Sequence, residues 1–254
     1  MQAFEIPSAI DSLGWGAQLD FDDAADFIWK TPTLIEHQTE IEKAKLYQYF
    51  PDDVRMRLLR WRLESRKLEK IFPSLMSTGN VFIVVSLFEM YALRLCLLTQ
   101  TFSEASLRGT KGQGISRTFE YLRGTGIDHG SCRLWTQVDA ALKIRNCLMH
   151  ASGFLAQSRD EKDLRRILKS GTFLPREHRN SKDMVQIAET DLGQRLQITN
   201  EYPWLLCCYL RDFFLEMCQL ARQVCQTRAE AVKPTLGLQE NRDEGANPHS
   251  GRER

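Results

Sequence analysis

The sequence predicts an all-α protein, a bundle of helices that carries one small β-hairpin. Amphipathic or apolar segments of helical length fill most of the 254 residues. The run at 81–98 is apolar almost all the way round, which is typical of a helix buried in the centre of a bundle. Within 184–199, by contrast, Met184–Ala188 and Arg195–Thr199 alternate between apolar and polar residues, so the hairpin is predicted there.

The first 73 residues are predicted to form an N-terminal helical extension, 1–73. Residues 1–21 are expected to be irregular, and a short helical turn is expected at 22–29. Pro32 and Pro51 each suit the first turn of a helix, where a proline loses no hydrogen bond. They predict two charged amphipathic helices, from Pro32 to about residue 50 and from Pro51 to about residue 71.

A central buried helix is predicted at about 80–101, near the start of a main helical domain, 74–228. Pro73 and Gly79 are expected to break the chain before this helix. Glu89 and Arg94 are the only charged residues of its apolar run. Because the run is only marginally long enough to cross a bilayer, and its two charges would be costly there, we expect a core helix.

Three further helices are predicted along the domain. A glycine-rich loop at 107–114 leads into a short helix at about 115–124. A longer amphipathic helix follows at about 131–151, and a charged helix at about 158–169. The loop lacks the residue spacing and the Lys-Ser/Thr of a phosphate-binding P-loop, so none is predicted there.

The β-hairpin precedes one last helix and a tail. Asp191-Leu-Gly193 separates the two alternating stretches and supplies their turn. The last helix is predicted at about 201–228. Its larger apolar residues are assigned to the core: Trp204, Leu205, Tyr209, Phe213, Leu220 and Val224. A disordered tail is predicted at 229–254, because the chain turns polar there and loses its apolar period.

The helix at 131–151 contains the strongest indication of function, Ile144-Arg-Asn-Cys-Leu-Met-His150. At about 100° per residue, Arg145 lies at the centre of the apolar face. The other members of that face are Leu134, Val138, Ala141, Leu142, Leu148 and Met149. An arginine stays charged and is almost never buried alone, so the core must open here onto a charged partner, a cleft or a second subunit. Asn146 and His150 lie four residues apart beside this face.

The pattern Arg-Asn-x-x-x-His, which closes a long amphipathic helix in a wholly helical context, resembles the HEPN superfamily. The hallmark of that family is an arginine, often followed by Asn, Asp or His, with a histidine a few residues later. Here these residues are Arg145, Asn146 and His150, and the likeness covers about residues 74–227. It implies an antiparallel HEPN-like helical bundle. Many members are metal-independent endoribonucleases used as toxins or in antiviral defence, and the resemblance implies that activity.

A second arginine and histidine, Arg123 and His129, have a similar spacing. The residues between them, Gly-Thr-Gly-Ile-Asp, have a loop composition that would not hold both on one helix. The bare spacing is therefore a weak signal. The helical context and the neighbouring asparagine distinguish Arg145 from Arg123.

Cleavage of RNA without a metal needs a base for the 2′-hydroxyl, an acid for the leaving 5′-oxygen and positive charge at the phosphate. A histidine can transfer protons near neutral pH, so His150 suits both proton steps. Arg145 offers a planar set of donors for phosphate oxygens, and Asn146 would position the phosphate or the histidine. One copy supplies one such histidine. We therefore expect a homodimer that faces two motifs across a shared cleft, as is common in the family.

Structural roles for the same residues stay open. His150 lies in the last helical turn before Gly153, where a cation complements the helix dipole. Arg145 would also be explained by an ion pair that holds two helices together, and Glu89 is the obvious partner. The same pair would orient a catalytic arginine, and both roles require the same residues.

Two clusters of basic residues are candidates for RNA contact. The first lies on the helix at 51–71 beside Trp61 and contains Arg60, Arg62, Arg66 and Lys67. The second flanks the glycine-rich loop and contains Arg108 and Lys111. Basic side chains beside a stacking aromatic suit a phosphate backbone. Acidic residues temper the first cluster, however, and such a run is more often a solvated helix face.

Composition is that of an ordinary soluble protein, with 43% apolar residues, 26% charged residues and a net charge of +1. A general nucleic-acid coat would be strongly basic, so RNA contact is expected to be local. Seven cysteines without Cys-x-x-Cys spacing argue against a disulfide framework and against zinc. We therefore predict a reducing, cytoplasmic location and no metal or cofactor. No signal-peptide pattern is present, and no membrane partner is expected.

The sequence thus favours a metal-independent endoribonuclease in a toxin or antiviral defence role, with RNA as substrate. Two alternatives stay open. The same cleft would serve a catalytically silent helical module that binds RNA, a nucleotide or a protein partner. The second alternative is a toxin that is inactive until an antitoxin or another regulatory protein is removed.

Overall fold

The computed structural model of the protein describes residues 5–103 and 105–237. Its helices are α1 (Glu5–Tyr49), α2 (Val54–Arg66), α3 (Phe72–Thr99), α4 (Gly114–Gly124), α5 (Trp135–His150), α6 (Glu161–Ser170) and α7 (Glu201–Gly237). Two antiparallel strands, β1 (Val185–Thr190) and β2 (Gly193–Ile198), form a hairpin. The prediction of an all-α protein with a small β-hairpin is therefore confirmed.

The core lies where α1, α3 and α7 pack on one another, with α5 against α3 and α7. As the apolar run predicted, α3 buries Val84, Phe88 and Leu95 completely. Buried side chains of α1, from Ile6 to Ile28, belong to the same core. The boundary predicted at residue 73 therefore does not separate two hydrophobic cores.

Helix α1 runs without interruption through Pro32. The sequence had predicted three separate parts here: an irregular segment at 1–21, a short turn at 22–29 and a new helix from Pro32. A proline in a helix interior leaves the carbonyl four residues earlier without its N–H donor, here the carbonyl of Ile28. The Asn200 side chain supplies the missing donor, because its Nδ2 lies 2.9 Å from the Ile28 oxygen. The predicted helix start at Pro32 is wrong because a distant residue replaces the lost hydrogen bond.

The break predicted at Pro73 and Gly79 is also wrong. A single π-helical turn, Lys67–Ile71, joins α2 directly to α3. Pro73 lies in the first turn of α3, where the regular α-helical hydrogen-bond pattern is already interrupted by the π turn. Gly79 simply continues the helix, and α2 contains no buried side chain.

By length and composition, the continuous helical stretch Val54–Thr99 is apolar enough to cross a membrane. Of its most apolar part, 44% is buried inside the protein. The core helix of a soluble protein has the same length and apolar composition, so these two properties are weak evidence for a membrane span. The absence of a membrane partner stays a prediction.

The remaining elements agree with the sequence to within a few residues, except at the end of α7. Leu205, Tyr209 and Phe213 are buried, and Trp204, Leu220 and Val224 pack against the core. Helix α7 continues to Gly237, past the predicted start of the tail at 229. The rest of the predicted disordered tail, 238–254, lies outside the described residues.

Candidate active site

The β-hairpin braces the end of α5, the helix that carries the motif. Ser152 and Gly153, directly after the helix, have φ angles of 51° and 83°, a left-handed backbone that favours glycine. The Leu196 amide donates to the Gly153 carbonyl at 2.9 Å, and Arg195 Nε donates to the Ser152 carbonyl at 2.9 Å. The position of His150 at this helix end is therefore set by tertiary contacts.

Arg145 is held by Glu89, as the sequence suggested. Its Nη2 donates to Glu89 Oε1, across the contact between α5 and α3. The Arg145 side chain is 13% exposed and that of Glu89 is 32% exposed. The Nε of Arg145 is buried and donates to no described atom. The pair therefore places a guanidinium at the edge of the core with some of its donors uncommitted.

An open cavity of about 680 Å³ lies beside this pair. Arg145, Asn146, His150 and Glu89 all line it. On an ideal helix Arg145 and His150 would point about 140° apart, yet both border the same space. His150 is exposed and Asn146 is half-buried, and neither hydrogen-bonds to another described side chain. The three motif side chains therefore share one accessible site.

Two further segments, which the sequence analysis did not connect with the site, also line the cavity. They are the first turn of α4 with the residue before it, 113–116, and the segment leading into α6, 157–160. The first turn of α4 lies at the cavity wall, and no side chain caps this end of the helix. Its first-turn amides and the positive end of its dipole therefore border the cavity. Arg159 contributes a second guanidinium. No spacing rule links Arg159 to the motif, because only the packing of α6 on α5 places it there.

The predicted RNA-contact residues are exposed but do not line this cavity. Arg60, Arg62 and Arg66 lie on α2, which packs against α1. Lys67, in the π turn that follows, pairs with Glu64 at 2.8 Å. Arg108 and Lys111 lie on the loop before α4. The structure thus unites the motif residues and leaves both basic clusters outside the cavity.

One member of the predicted apolar face of α5 differs. Met149 is 48% exposed, whereas Leu134, Val138, Ala141, Leu142 and Leu148 are buried. Met149 lies in the last turn of α5, next in the chain to the exposed His150. An apolar side chain therefore stands exposed next to the candidate site.

The cysteines are unpaired, as predicted, and all except Cys208 are buried. Burial raises the pKa of the Cys147 thiol, one turn before His150, so this side chain stays a neutral thiol. Among the described residues, no group of three His, Cys, Asp or Glu side chains is placed to hold a metal ion.

The site as a whole offers two guanidinium groups, a proton-transfer group and an amide around one open space, with Glu89 and Asp160 as its carboxylates. Arg145 and the N-terminus of α4 suit an anion such as a phosphodiester. His150 is the accessible histidine within it. Comparison with protein-family models, curated proteins and solved structures gives no match to this chain.

Proposed function

We propose that this protein is a metal-independent endoribonuclease that cleaves RNA by attack of a 2′-hydroxyl on the neighbouring phosphate. The observation that carries the proposal is the shared cavity of Arg145, Asn146 and His150, bordered by the uncapped N-terminus of α4. This arrangement combines an anion site with a solvent-accessible histidine. These groups meet two of the three requirements for cleavage of RNA without a metal, a proton acceptor and positive charge at the phosphate.

In the proposed reaction, Arg145 and the first-turn amides of α4 bind the oxygens of the scissile phosphate. His150 accepts the proton of the 2′-hydroxyl, and the 2′-oxygen forms a bond to phosphorus. The bond from phosphorus to the 5′-oxygen breaks, and that oxygen receives a proton from an acid. The products are a 2′,3′-cyclic phosphate and a 5′-hydroxyl end. Asn146 positions the phosphate without adding charge.

Glu89 is a positioning residue in this scheme. Arg145 projects from the apolar side of α5, where a long, flexible side chain would otherwise adopt many orientations. Its contact with Glu89 restricts the guanidinium to the cavity wall. The same contact compensates the charge of an arginine that is only 13% exposed.

We also propose that the active form is a homodimer in which His150 of the second copy supplies the acid. Ile83, Leu93 and Leu97 on α3 are 58%, 42% and 52% exposed. On an α-helix these three positions fall within an arc of about 80°, and Glu89 borders that arc about 40° from Leu93. A stripe of exposed apolar side chains beside a site marks a surface for a protein partner. The toxin or defence role rests on the HEPN resemblance alone.

The test uses purified full-length protein, total RNA and excess EDTA, with chemical identification of the cleaved ends. We expect wild type to cleave and leave 2′,3′-cyclic phosphates. His150→Ala should lower the rate by about 10²–10⁴-fold, the usual contribution of a proton-transfer group. Arg145→Ala should lower it by about 10²–10³-fold, the usual contribution of one donor that stabilises developing charge. His37→Ala, which removes an exposed histidine on α1 outside the cavity, is the matched control and should cleave normally.

Three results would contradict the proposal: cleavage that EDTA abolishes, cleavage that His150→Ala retains, or no cleavage by a folded dimer. RNA binding without cleavage would favour the catalytically silent module instead. Sedimentation tests the dimer separately. The double variant Ile83→Glu/Leu97→Glu should sediment as a monomer and lose cleavage, whereas a wild type that is itself monomeric and active would refute the shared site.

A further inference from the structure

A second cavity, of about 370 Å³, lies at the opposite end of α5 from the motif. It opens between the first turn of α5 and the short helical turn Arg176–His178. Gln137, on its wall, precedes Arg145 by eight residues, a rise of about 12 Å along the helix. This second cavity is therefore separate from the site of the proposed ribonuclease.

Three arginines line the second cavity: Arg133, Arg176 and Arg179. None of them lies within ion-pair distance of a described carboxylate through its side chain. The Nε of Arg179 is buried and donates to no described atom. A guanidinium does not lose its proton, so this concentration of positive charge favours an anionic partner.

The frame of the cavity is held in place by hydrogen bonds. Gln137 is buried, and its Nε2 donates to the carbonyls of Thr172 and Leu174 at 3.1 and 3.4 Å. The backbone N–H of Arg133 donates to the carboxylate of Glu216 on α7 at 3.1 Å. The Gln137 bonds fix α5 against the segment that leads to Arg176 and Arg179, and the Arg133 bond fixes the residues before α5 against α7. The arginines therefore face a preformed space.

The helix itself adds to the positive potential. Helix α5 has 16 residues, and its N-terminus, at Leu134, has no side-chain cap. Thr136, the exposed residue of the first turn, also lines the cavity. The positive end of the helix dipole therefore lies at the same wall as Arg133.

We propose that this second cavity binds a small organic phosphate monoester. Three arginines and one carboxylate, Glu177, give its lining a net charge of +2, from three positive charges and one negative charge. A phosphate monoester carries about −1.5 to −2 charges at pH 7. Leu134 and Pro175 supply apolar wall for the carbon part of an ester. The volume falls in the usual range for small-molecule sites.

The test is calorimetric titration of the full chain with three probes: adenosine monophosphate, inorganic phosphate and adenosine. We expect the nucleotide to bind more tightly than inorganic phosphate, and uncharged adenosine not to bind. Arg133→Gln and Arg179→Gln should each weaken binding by at least about tenfold, because each removes a charge-assisted hydrogen bond. Glu177→Gln should tighten binding several-fold, since it removes the one negative charge of the lining.

Arg55→Gln on α2 is the matched control, because it also removes one exposed, unpaired arginine, and it should bind like wild type. Glu177 is exposed, so its variant tests the proposal even where Arg179→Gln fails to fold. Four results would overturn the proposal, and the first is no binding of either phosphate at about 10 mM, well above ordinary small-ligand Kd values. The second is nucleotide binding weakened as much by Arg55→Gln as by Arg133→Gln, and the third is nucleotide binding weakened by Glu177→Gln. The fourth is nucleotide binding that Arg145→Ala removes and Arg133→Gln retains. The last result would place the phosphate in the cavity at the motif.

Discussion

Two histidines, one near each end of α5, lie in opposite settings. His129, just before the helix, is 8% exposed, stacks on Phe119 with ring centroids 4.4 Å apart and meets the edge of Trp135 at 4.5 Å. His150, the last residue of the helix, is exposed and lines an open cavity of about 680 Å³. Each histidine follows an arginine at nearly the same spacing. Exposure and neighbours, rather than spacing, therefore distinguish a core histidine from a candidate catalytic one.

The arginines differ in the same way. Arg123 pairs with Glu120 on the exposed face of its own helix, and both side chains are about half exposed. Arg145 pairs with Glu89 across two helices and is largely buried. An exposed pair within one helix contributes little to stability, whereas a partly buried pair between helices fixes the orientation of a charge. Aromatic packing thus buries the histidine near the start of α5, whereas the histidine at the end of α5 borders an open cavity.

The largest expected effect concerns packing at the end of α5 with His129. Phe119 is buried and contacts His129, Trp135 and Phe213. Phe119→Ala should lower the free energy of unfolding by about 3–5 kcal/mol, the usual cost of emptying a buried phenylalanine site. Denaturant unfolding measures it. Met149→Ala, at the exposed end, should change stability by no more than about 0.5 kcal/mol. Equal losses in the two variants would erase the contrast between the two ends.

A smaller effect is expected from the ion pair at the end of α5 with His150. Glu89→Gln leaves Arg145 without its counter-charge at the edge of the core, and should cost about 1–3 kcal/mol of unfolding free energy. The double variant Glu89→Gln/Arg145→Met should cost less than the sum of the single variants, because neither charge is then left alone.

A matched control for this pair is Glu64→Gln, which breaks the exposed pair with Lys67. It should change stability by less than about 1 kcal/mol. Additive costs at Glu89 and Arg145 would mean that the two side chains do not interact in solution.

The smallest expected effect is the acid sensitivity of His129. Burial lowers the pKa of this imidazole, against a weaker opposing effect of Asp128. Above about pH 6.5 the His129 imidazole is neutral in both the folded and the unfolded state. It therefore does not make the free energy of unfolding depend on pH in that range. Below that pH the unfolded chain takes up a proton first. The free energy of unfolding should therefore fall with pH, by at most about 1.4 kcal/mol per pH unit.

Denaturant unfolding between pH 7.5 and 5.5 measures this dependence. His129→Phe should remove the contribution, so that the variant loses less stability on acidification than wild type does. A slope that His129→Phe leaves unchanged would show that the buried imidazole is not the group that titrates.

Much of the fold follows from local pattern. The helices α4, α5 and α6 and the β-hairpin each have their apolar period within the segment itself, so the sequence predicted them to within a few residues. The apolar run likewise predicted the buried part of α3, although this helix begins at Phe72 and not at about residue 80. The motif on α5 was predicted in the same way. Even the partner of Arg145 could be named, because Glu89 is one of only two charges in the apolar run of α3.

The remaining features depend on residues far apart in the chain. Helix α1 continues through Pro32 because Asn200, 172 positions later, bonds the carbonyl that the proline leaves free. Arg159 and the N-terminus of α4 reach the cavity because α6 and α4 pack on α5 and α3. Local periodicity carries no information about such contacts.

The sequence by itself therefore determined the helices from α2 to α6, most of α7, the β-hairpin and the side chains suited to catalysis. Only the tertiary structure decided which histidine is buried, which arginine is held at the edge of the core, and which chain segments complete the cavity. The physical reason is that helix formation depends on neighbours a few residues away, whereas burial, counter-charge and access to solvent depend on the packing of whole elements.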